Sequence, residues 1–450
     1  MFKDSLYSDD WSDSERHIEQ ARDYYEVGRW PDALRELEAA IDINPTNADW
    51  RFNMGLTLDT LGRYHDAVDA FEQAAELNPS DPEILNCLGV DYTRLGRYDQ
   101  ALTTFEKLEA LDQDFEPGYC NRIITYTEMG CHEEAESMFY MARQLKEHCP
   151  LCYYNIGNSL FARSQYEKAI WCWKQTYELD SNHPQIEYRI AQAYWAMGKH
   201  QQAYEYFISE LRRNPGDIDV LLDSGILMLE MNDLEGAKEK LRRILELYPR
   251  HAQAHHYMGE IYLDAGRYQQ AIEEFYFAIE YNPKLNGPHY RLGQCFLRLG
   301  QKANAHEHLI AEYRLAPMQI EVQMELGCML SEAGAFNQAV DMLLTVIDAR
   351  PDDIEGFYNL SLCYYKNGKI DAGIEMSLQV LQLLPNHAET LHNLAYAYCQ
   401  KKNYSKAYMY GQLAQQFDPD EPKVKQLMRT LRLRRTIQKV KQPLKIFQKN

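Results

Sequence analysis

The chain has 450 residues, 45% of them apolar and 25% charged, and a formal net charge of −20. These fractions are ordinary for a soluble chain that can bury a large core. Residues 422–450 hold ten Lys and Arg and no acid, so 37 basic face 67 acidic side chains in residues 1–421; such a body repels phosphates, which excludes nucleic-acid binding along its length.

The first residues, MFKDSLYSDDWSDSER, lack the basic-then-apolar order of a secretory signal, and no apolar run reaches membrane-span length. A cytoplasmic chain is expected. Its ten cysteines, spread over helical-looking sequence, are expected to be reduced thiols rather than a disulfide framework.

After a short acidic segment at 1–13, the chain repeats itself. GRWPDAL at 28, GRYHDAV at 62, GRYDQAL at 96 and GRYQQAI at 266 are versions of one phrase on a 34-residue ruler. Twelve units follow without insertion: 14–47, 48–81, 82–115, 116–149, 150–183, 184–217, 218–251, 252–285, 286–319, 320–353, 354–387 and 388–421. Slot 20 is small in every unit, from Ala33 to Ala407, and slot 8 is small in all but the fourth, which has Ile123. Small residues at two set points let two helices approach closely. Slot 15 is usually Gly, suited to the left-handed end of a helix, and slot 32 is usually Pro, which stops the second helix. Apolar residues between these stops fall three and four apart, as at Leu58, Leu61, Val68, Phe71 and Ala75, so each unit is expected to be a pair of antiparallel helices. Neither helix buries its face alone; stacking makes an α-solenoid.

With small residues at 8, 20 and often 27, aromatics at 11 and 24, and Pro at 32, the units at 14–421 resemble tetratricopeptide repeats. YYNIGNSLFARSQYEKAI (153–170) and FYNLSLCYYKNGKIDAGI (357–374) come closest. The resemblance implies an all-α, right-handed superhelical solenoid of twelve helix-turn-helix units. Units three to five depart from the pattern through Gln113, Glu147 and Ser181 in place of Pro, and unit eleven through Gly373 and Ser377.

EHCPLCYY (147–154) carries a two-cysteine spacing that suits thiol exchange or zinc. The ruler puts Cys149 at the cap slot 34, shared with Asp81, His183, Asp217 and Asp353. Pro150 falls at slot 1, shared with Pro82 and Pro184, and Cys152 at the apolar slot 3. A repeat junction with structural cysteines is the preferred account, with metal binding at Cys149 and Cys152 and redox chemistry as lesser alternatives; Cys120, Cys131, Cys172, His148 and His183 are the neighbours that could complete a zinc site. HEHLIAE (306–312) spaces its histidines two apart, not four, so they point to different faces, and His255 and His289 at slot 4 are expected to be satisfied structural histidines. No phosphate loop or nucleophile elbow occurs, so no catalytic residue and no cofactor is expected.

The resemblance further implies that the first helix of each unit lines a concave groove through slots 2, 5, 9, 12 and 13. There the sequence places fourteen acids, among them Glu15, Asp49, Glu83, Asp219, Glu230, Glu260, Asp264, Glu321, Glu332 and Glu355, against Arg22, Arg94, Arg298 and Lys366. A neutral or basic peptide is the expected ligand, set against a merely solvated face. No Lys occupies slot 2 or 5, so the clamp by which some members grip the Hsp70 or Hsp90 carboxylate is absent. Asn53, Asn121, Asn155, Asn359 and Asn393 at slot 6 resemble a broken asparagine ladder. Groove candidates are Tyr154, Asn155, Asn158, Phe161, Tyr188, Gln192, Trp195, Glu260, Tyr290, Gln294, Tyr358 and Asn359, with packing against neighbouring helices as the rival account of the aromatics.

In the tail, Val424, Leu427, Met428 and Leu431 predict a helix that caps unit twelve. The basic surplus beyond it could meet anionic lipid, nucleic acid or the acidic groove. The expected function is a non-catalytic adaptor or scaffold for a protein segment. The alternative is a targeting or regulatory subunit of an enzyme or of a secretion or chaperone assembly, and a zinc or thiol protein is more remote.

Overall fold

The computed structural model describes residues 13–315 and 319–432, and no strand occurs among them. By internal contacts the chain forms two units, residues 1–220 and 221–450. In the first, α1 (Asp13–Glu26) pairs with α2 (Trp30–Ile43), α3 (Ala48–Thr60) with α4 (Tyr64–Leu77), and α5 (Pro82–Arg94) with α6 (Tyr98–Leu111). There follow α7 (Glu116–Glu128) with α8 (His132–Leu145), α9 (Pro150–Ala162) with α10 (Tyr166–Leu179), and α11 (Ile186–Ala196) with α12 (His200–Arg213). Helix α13 (Ile218–Glu230) spans the division. Beyond it lie α14 (Leu234–Leu247), then α15 (Ala252–Asp264) with α16 (Tyr268–Tyr281), and α17 (Pro288–Arg298) with α18 (Lys302–Leu315). The series ends with α19 (Ile320–Ala333) and α20 (Phe336–Ala349), α21 (Ile354–Lys366) and α22 (Ile370–Leu383), α23 (Ala388–Gln400) and α24 (Tyr404–Phe417), and α25 over 422–432.

The turn inside each pair has one geometry. All twelve slot-15 residues have positive φ, from 57° at Ser164 to 88° at Gly334, including the non-glycines Asn232 and Lys402. The amide after each donates to the carbonyl five residues back, as Arg63 to Leu58 and Lys369 to Tyr364, closing the helix end in a Schellman-type loop. Slot 34 starts the next helix: Asn47, Asp81, Asp353 and even the rings of His251 and His387 accept a backbone amide of the first turn.

Between paired helices, slot 8 meets slot 24. A Cβ on Gly89 would stand 2.6 Å from the Phe105 ring, and one on Gly157 2.6 Å from Trp173 Nε1, so hydrogen is the side chain that lets the ring lie flat. Unit eleven departs from this in a compensated way. A Cβ at Gly373 would collide with Tyr365, whose ring fills the space left by Ser377 and whose hydroxyl lies 2.9 Å from Ser377 Oγ. In unit twelve Gly411 leaves the same space to Met428 of α25, which with Val424 and Leu431 is buried against Tyr398, Ala407 and Ala414. The basic segment beyond Arg432 and the acidic residues before Asp13 lie outside the described residues.

Two sequence expectations need correction. Pro184 does not open a helix: α11 begins at Ile186, after Gln185 at φ 61°, and Glu210 at slot 27 accepts the Tyr188 amide to cap the late start. Glu312 does the same at α17, accepting from the Gly287 and Tyr290 amides at 2.7 and 2.9 Å. A buried carboxylate thus replaces the usual small residue where the first helix is short. The second correction concerns the thiols. Cys120 and Cys152 form a disulfide, because stacking α7 on α9 brings slot 5 of one unit beside slot 3 of the next; the other eight cysteines form no disulfide among the described residues.

Candidate functional site

The first-helix face receives the predicted groove residues, but not as an open row. Asn155 is 3% exposed and donates through Nδ2 to the Cys120 carbonyl at 3.0 Å. Asn121 reaches Asn86 and Asn359 reaches Met324 Sδ in the same way, so three slot-6 asparagines tie each first helix to slot 5 of the unit before. This corrects the ladder for Asn155, whose amide is consumed inside the stack. Tyr188 and Tyr290 are also buried. Tyr188 and Trp195 pack on Phe207, and Phe161 on Trp173 and Tyr166, as the packing account expects. Tyr154 is half-buried with its ring 4.5 Å from that of His183. Gln192 accepts from Arg189, while Asn158 Oδ1 is buried without a hydrogen-bond partner among the described residues.

The second unit presents a different surface. Glu260 is clamped by Arg291, whose Nε and Nη2 stand 2.8 and 2.7 Å away, and Arg291 also donates to Gln294. The Tyr290 hydroxyl donates to Glu325, and the Tyr358 hydroxyl donates to Glu389 at 2.7 Å. Burial and the bond to Glu389 raise Tyr358 to about 12, so it remains a donor at neutral pH. Glu325 and Glu389 are exposed. The acidic surface is more compensated than counting slots suggested, because cations outside those slots answer part of it: Arg291 faces Glu260 and Arg350 faces Glu321. In the first unit Arg94 holds Asp59 and Asp91 together; burial, then the charge of Asp59, pushes Asp91 well above the usual carboxylate range. His255 is satisfied by Glu274 and the Pro249 carbonyl.

A second feature lies at the junction of units four and five. Cys149 caps α9, its sulfur accepting from the Cys152 amide at 3.4 Å, and lies 3.6 Å from Cys120 Sγ. Glu116 Oε1 stands 2.9 Å from Cys120 Sγ and 3.3 Å from Cys152 Sγ. Burial, then the Glu116 carboxylate, raises the Cys149 thiol to about 11. Sequence spacing named Cys149 and Cys152 but missed Glu116. The ruler held the signal, since Glu116 and Cys120 lie one period, within two residues, before Pro150 and Cys152. On the second-helix face nearby, Phe139, Tyr140, Arg143, Ile156, Leu160 and Trp171 line a crevice of about 390 Å³.

Comparison with known proteins adds the family. Tetratricopeptide repeat models match residues 18–82, 52–115 and 222–283, and again 188–219; a TPR repeat model matches 157–198. No curated protein matches the chain. Among solved structures, the APC/C hetero-tetramer Cut9–Hcn1 is similar at 17% identity over 94% of this chain and 96% of that one, with a TM-score of 0.38. Yeast Tom70 is similar at 14% identity over 95% and 96%, with a TM-score of 0.37. A tetratricopeptide repeat protein from Parabacteroides merdae is similar at 18% identity over 52% and 93%, with a TM-score of 0.45. No helix among the described residues is long and apolar enough to cross a membrane. With its repeat matches in both units and the same turn, cap and packing slots in helix pair after helix pair, the chain belongs to the tetratricopeptide repeat proteins.

Proposed function

We propose that the chain is a non-catalytic adaptor that holds a neutral or basic protein segment against the first helices of residues 252–400. One observation carries this: alternate first helices, α15, α19 and α23, present the carboxylates of Glu260, Glu325 and Glu389, each oriented by a residue of the first helix between them, Arg291 or Tyr290 of α17 or Tyr358 of α21. Acceptors oriented before a ligand arrives lose less entropy on binding, and the negative sign of the exposed Glu325 and Glu389 selects against acidic segments. Tyr290 and Tyr358 also bring aromatic area beside the acceptors, the composition of an anchor site.

Photo-crosslinking tests the reading. A photoreactive residue at Gln294 or Glu325 should capture a partner segment, and one at the exposed Tyr276 of the second-helix face should not. Capture from Tyr276 alone would place the partner on the other face and end the proposal.

A further inference from the structure

Residues 116–152 bring together four atoms of metal-ligating type. Glu116 offers a carboxylate oxygen and Cys120, Cys149 and Cys152 offer sulfur, all four atoms within 4.8 Å of one another, with the three cysteines buried. Around a single zinc ion, with sulfur at about 2.3 Å, tetrahedral ligand atoms stand roughly 3.7 Å apart and never more than about 4.6 Å. The Cys120–Cys149 separation of 3.6 Å has that size. Each ligand is placed by the repeat itself: Glu116 and Cys120 lie one turn apart on α7, Cys149 is the cap of α9, and Cys152 is in its first turn, pointing back at α7.

A disulfide between Cys120 and Cys152 accounts for two of the four groups and a Cys149 thiol hydrogen-bonded to Glu116 pairs the other two, but the contact of Glu116 with the disulfide is left unexplained. Disulfide sulfurs carry no proton, yet Glu116 Oε1 stands 2.9 and 3.3 Å from those two sulfurs, an acceptor facing atoms with nothing to donate. A cation at the centre of the four atoms resolves this contact. Three soft sulfurs and one carboxylate select zinc over calcium or magnesium, which take oxygen donors.

We propose that Glu116, Cys120, Cys149 and Cys152 form a structural zinc site that staples unit four to unit five when Cys120 and Cys152 are thiols. Loading is balanced by proton release: one Zn²⁺ joins three thiols and one carboxylate, three protons leave, and the closed four-coordinate site carries a net charge of −2. The disulfide form is the metal-free alternative. A water-soluble phosphine converts it, taking the oxygen of one water as phosphine oxide and leaving two thiols. The site lies on α7 and α9, outside residues 252–400, and needs no partner segment.

The test uses the full chain reduced with such a phosphine. Native mass spectrometry after zinc addition and desalting should show one zinc per chain, and cobalt should give a thiolate-to-metal charge-transfer band with tetrahedral ligand-field bands. Cys149→Ser and Glu116→Gln should each lose the retained zinc, while Cys172→Ser keeps it. Circular dichroism reports whether a variant folds; should Cys149→Ser unfold, the Glu116→Gln result and the cobalt spectrum of the unmodified chain decide. Reduced chain with ten titratable thiols that retains no zinc and shows no cobalt–thiolate band overturns the proposal. So does zinc that survives in folded Cys149→Ser and Glu116→Gln.

Discussion

Units two and three, residues 48–115, and units four and five, residues 116–183, share one backbone plan and fill it differently. In the earlier pair, Gly55 and Gly89 lie under Phe71 and Phe105, both 1% exposed, and carboxamide or carboxylate caps start the first helices. In unit four, Ile123 occupies the place of that glycine and is fully buried, and Phe139 is displaced to the rim of the crevice, edge-on to Tyr153 at 5.4 Å. A sulfur caps the following helix. The difference teaches that the repeat tolerates a broken slot when a neighbouring slot changes with it, and that such compensated places collect unusual chemistry.

The comparison can be broken at its most buried point. Ile123→Ala should destabilise by about 2–5 kcal/mol, because the ring that fills this space elsewhere has already moved away and a cavity remains. Urea or thermal unfolding reads this out. If restoring a small residue at 123 instead stabilises the chain, Phe139 returns to its usual seat and the compensation is not real. The reverse change, Gly89→Ile, should cost about 1–3 kcal/mol by overpacking against Phe105, whose ring has no crevice to enter. Asn155→Ala, which leaves the Cys120 carbonyl without its donor, should cost about 1 kcal/mol, and Asp81→Ala a similar amount through loss of its cap.

The smallest expected effect is one of pH. Burial and Asp59 raise the Asp91 carboxyl above its ordinary value, so the folded chain binds more protons there than the unfolded chain does. Stability contributed at this position therefore falls as pH rises from the ordinary carboxylate range to the raised value, and is level above it. Asp91→Asn should flatten that part of the pH profile of the thermal midpoint; an unchanged slope would mean that Arg94 compensates fully.

Much of the fold was legible because its determinants are local and periodic. The positive-φ turn could be read at Gly62 or Gly266, and the period then carried it to Ser164, Asn232 and Lys402, where residue type alone gives no such signal. The capping stripe Val424, Met428 and Leu431 was legible for the same reason. What the sequence hid were exchanges between slots: Tyr365 answering Ser377, Glu210 and Glu312 capping shortened helices, and Arg291 neutralising Glu260. Each joins residues on different helices, so no single helix shows it. The candidate groove was less legible than the fold. Aromatics at Phe161, Tyr188 and Trp195 read as anchors or as core, and their contacts with Trp173 and Phe207 join different helices, so no single helix shows them.

The central claim is that oriented carboxylates on the first helices hold a neutral or basic segment. Fluorescence anisotropy with basic, neutral and acidic peptide libraries, on the unmodified chain and on a Glu260→Gln, Glu325→Gln, Glu389→Gln variant, tests it most directly. The account predicts that the unmodified chain prefers basic and neutral over acidic peptides, and that the variant loses that preference while its helical content is unchanged. Equal binding of all three classes, or a preference untouched by the triple substitution, would contradict it.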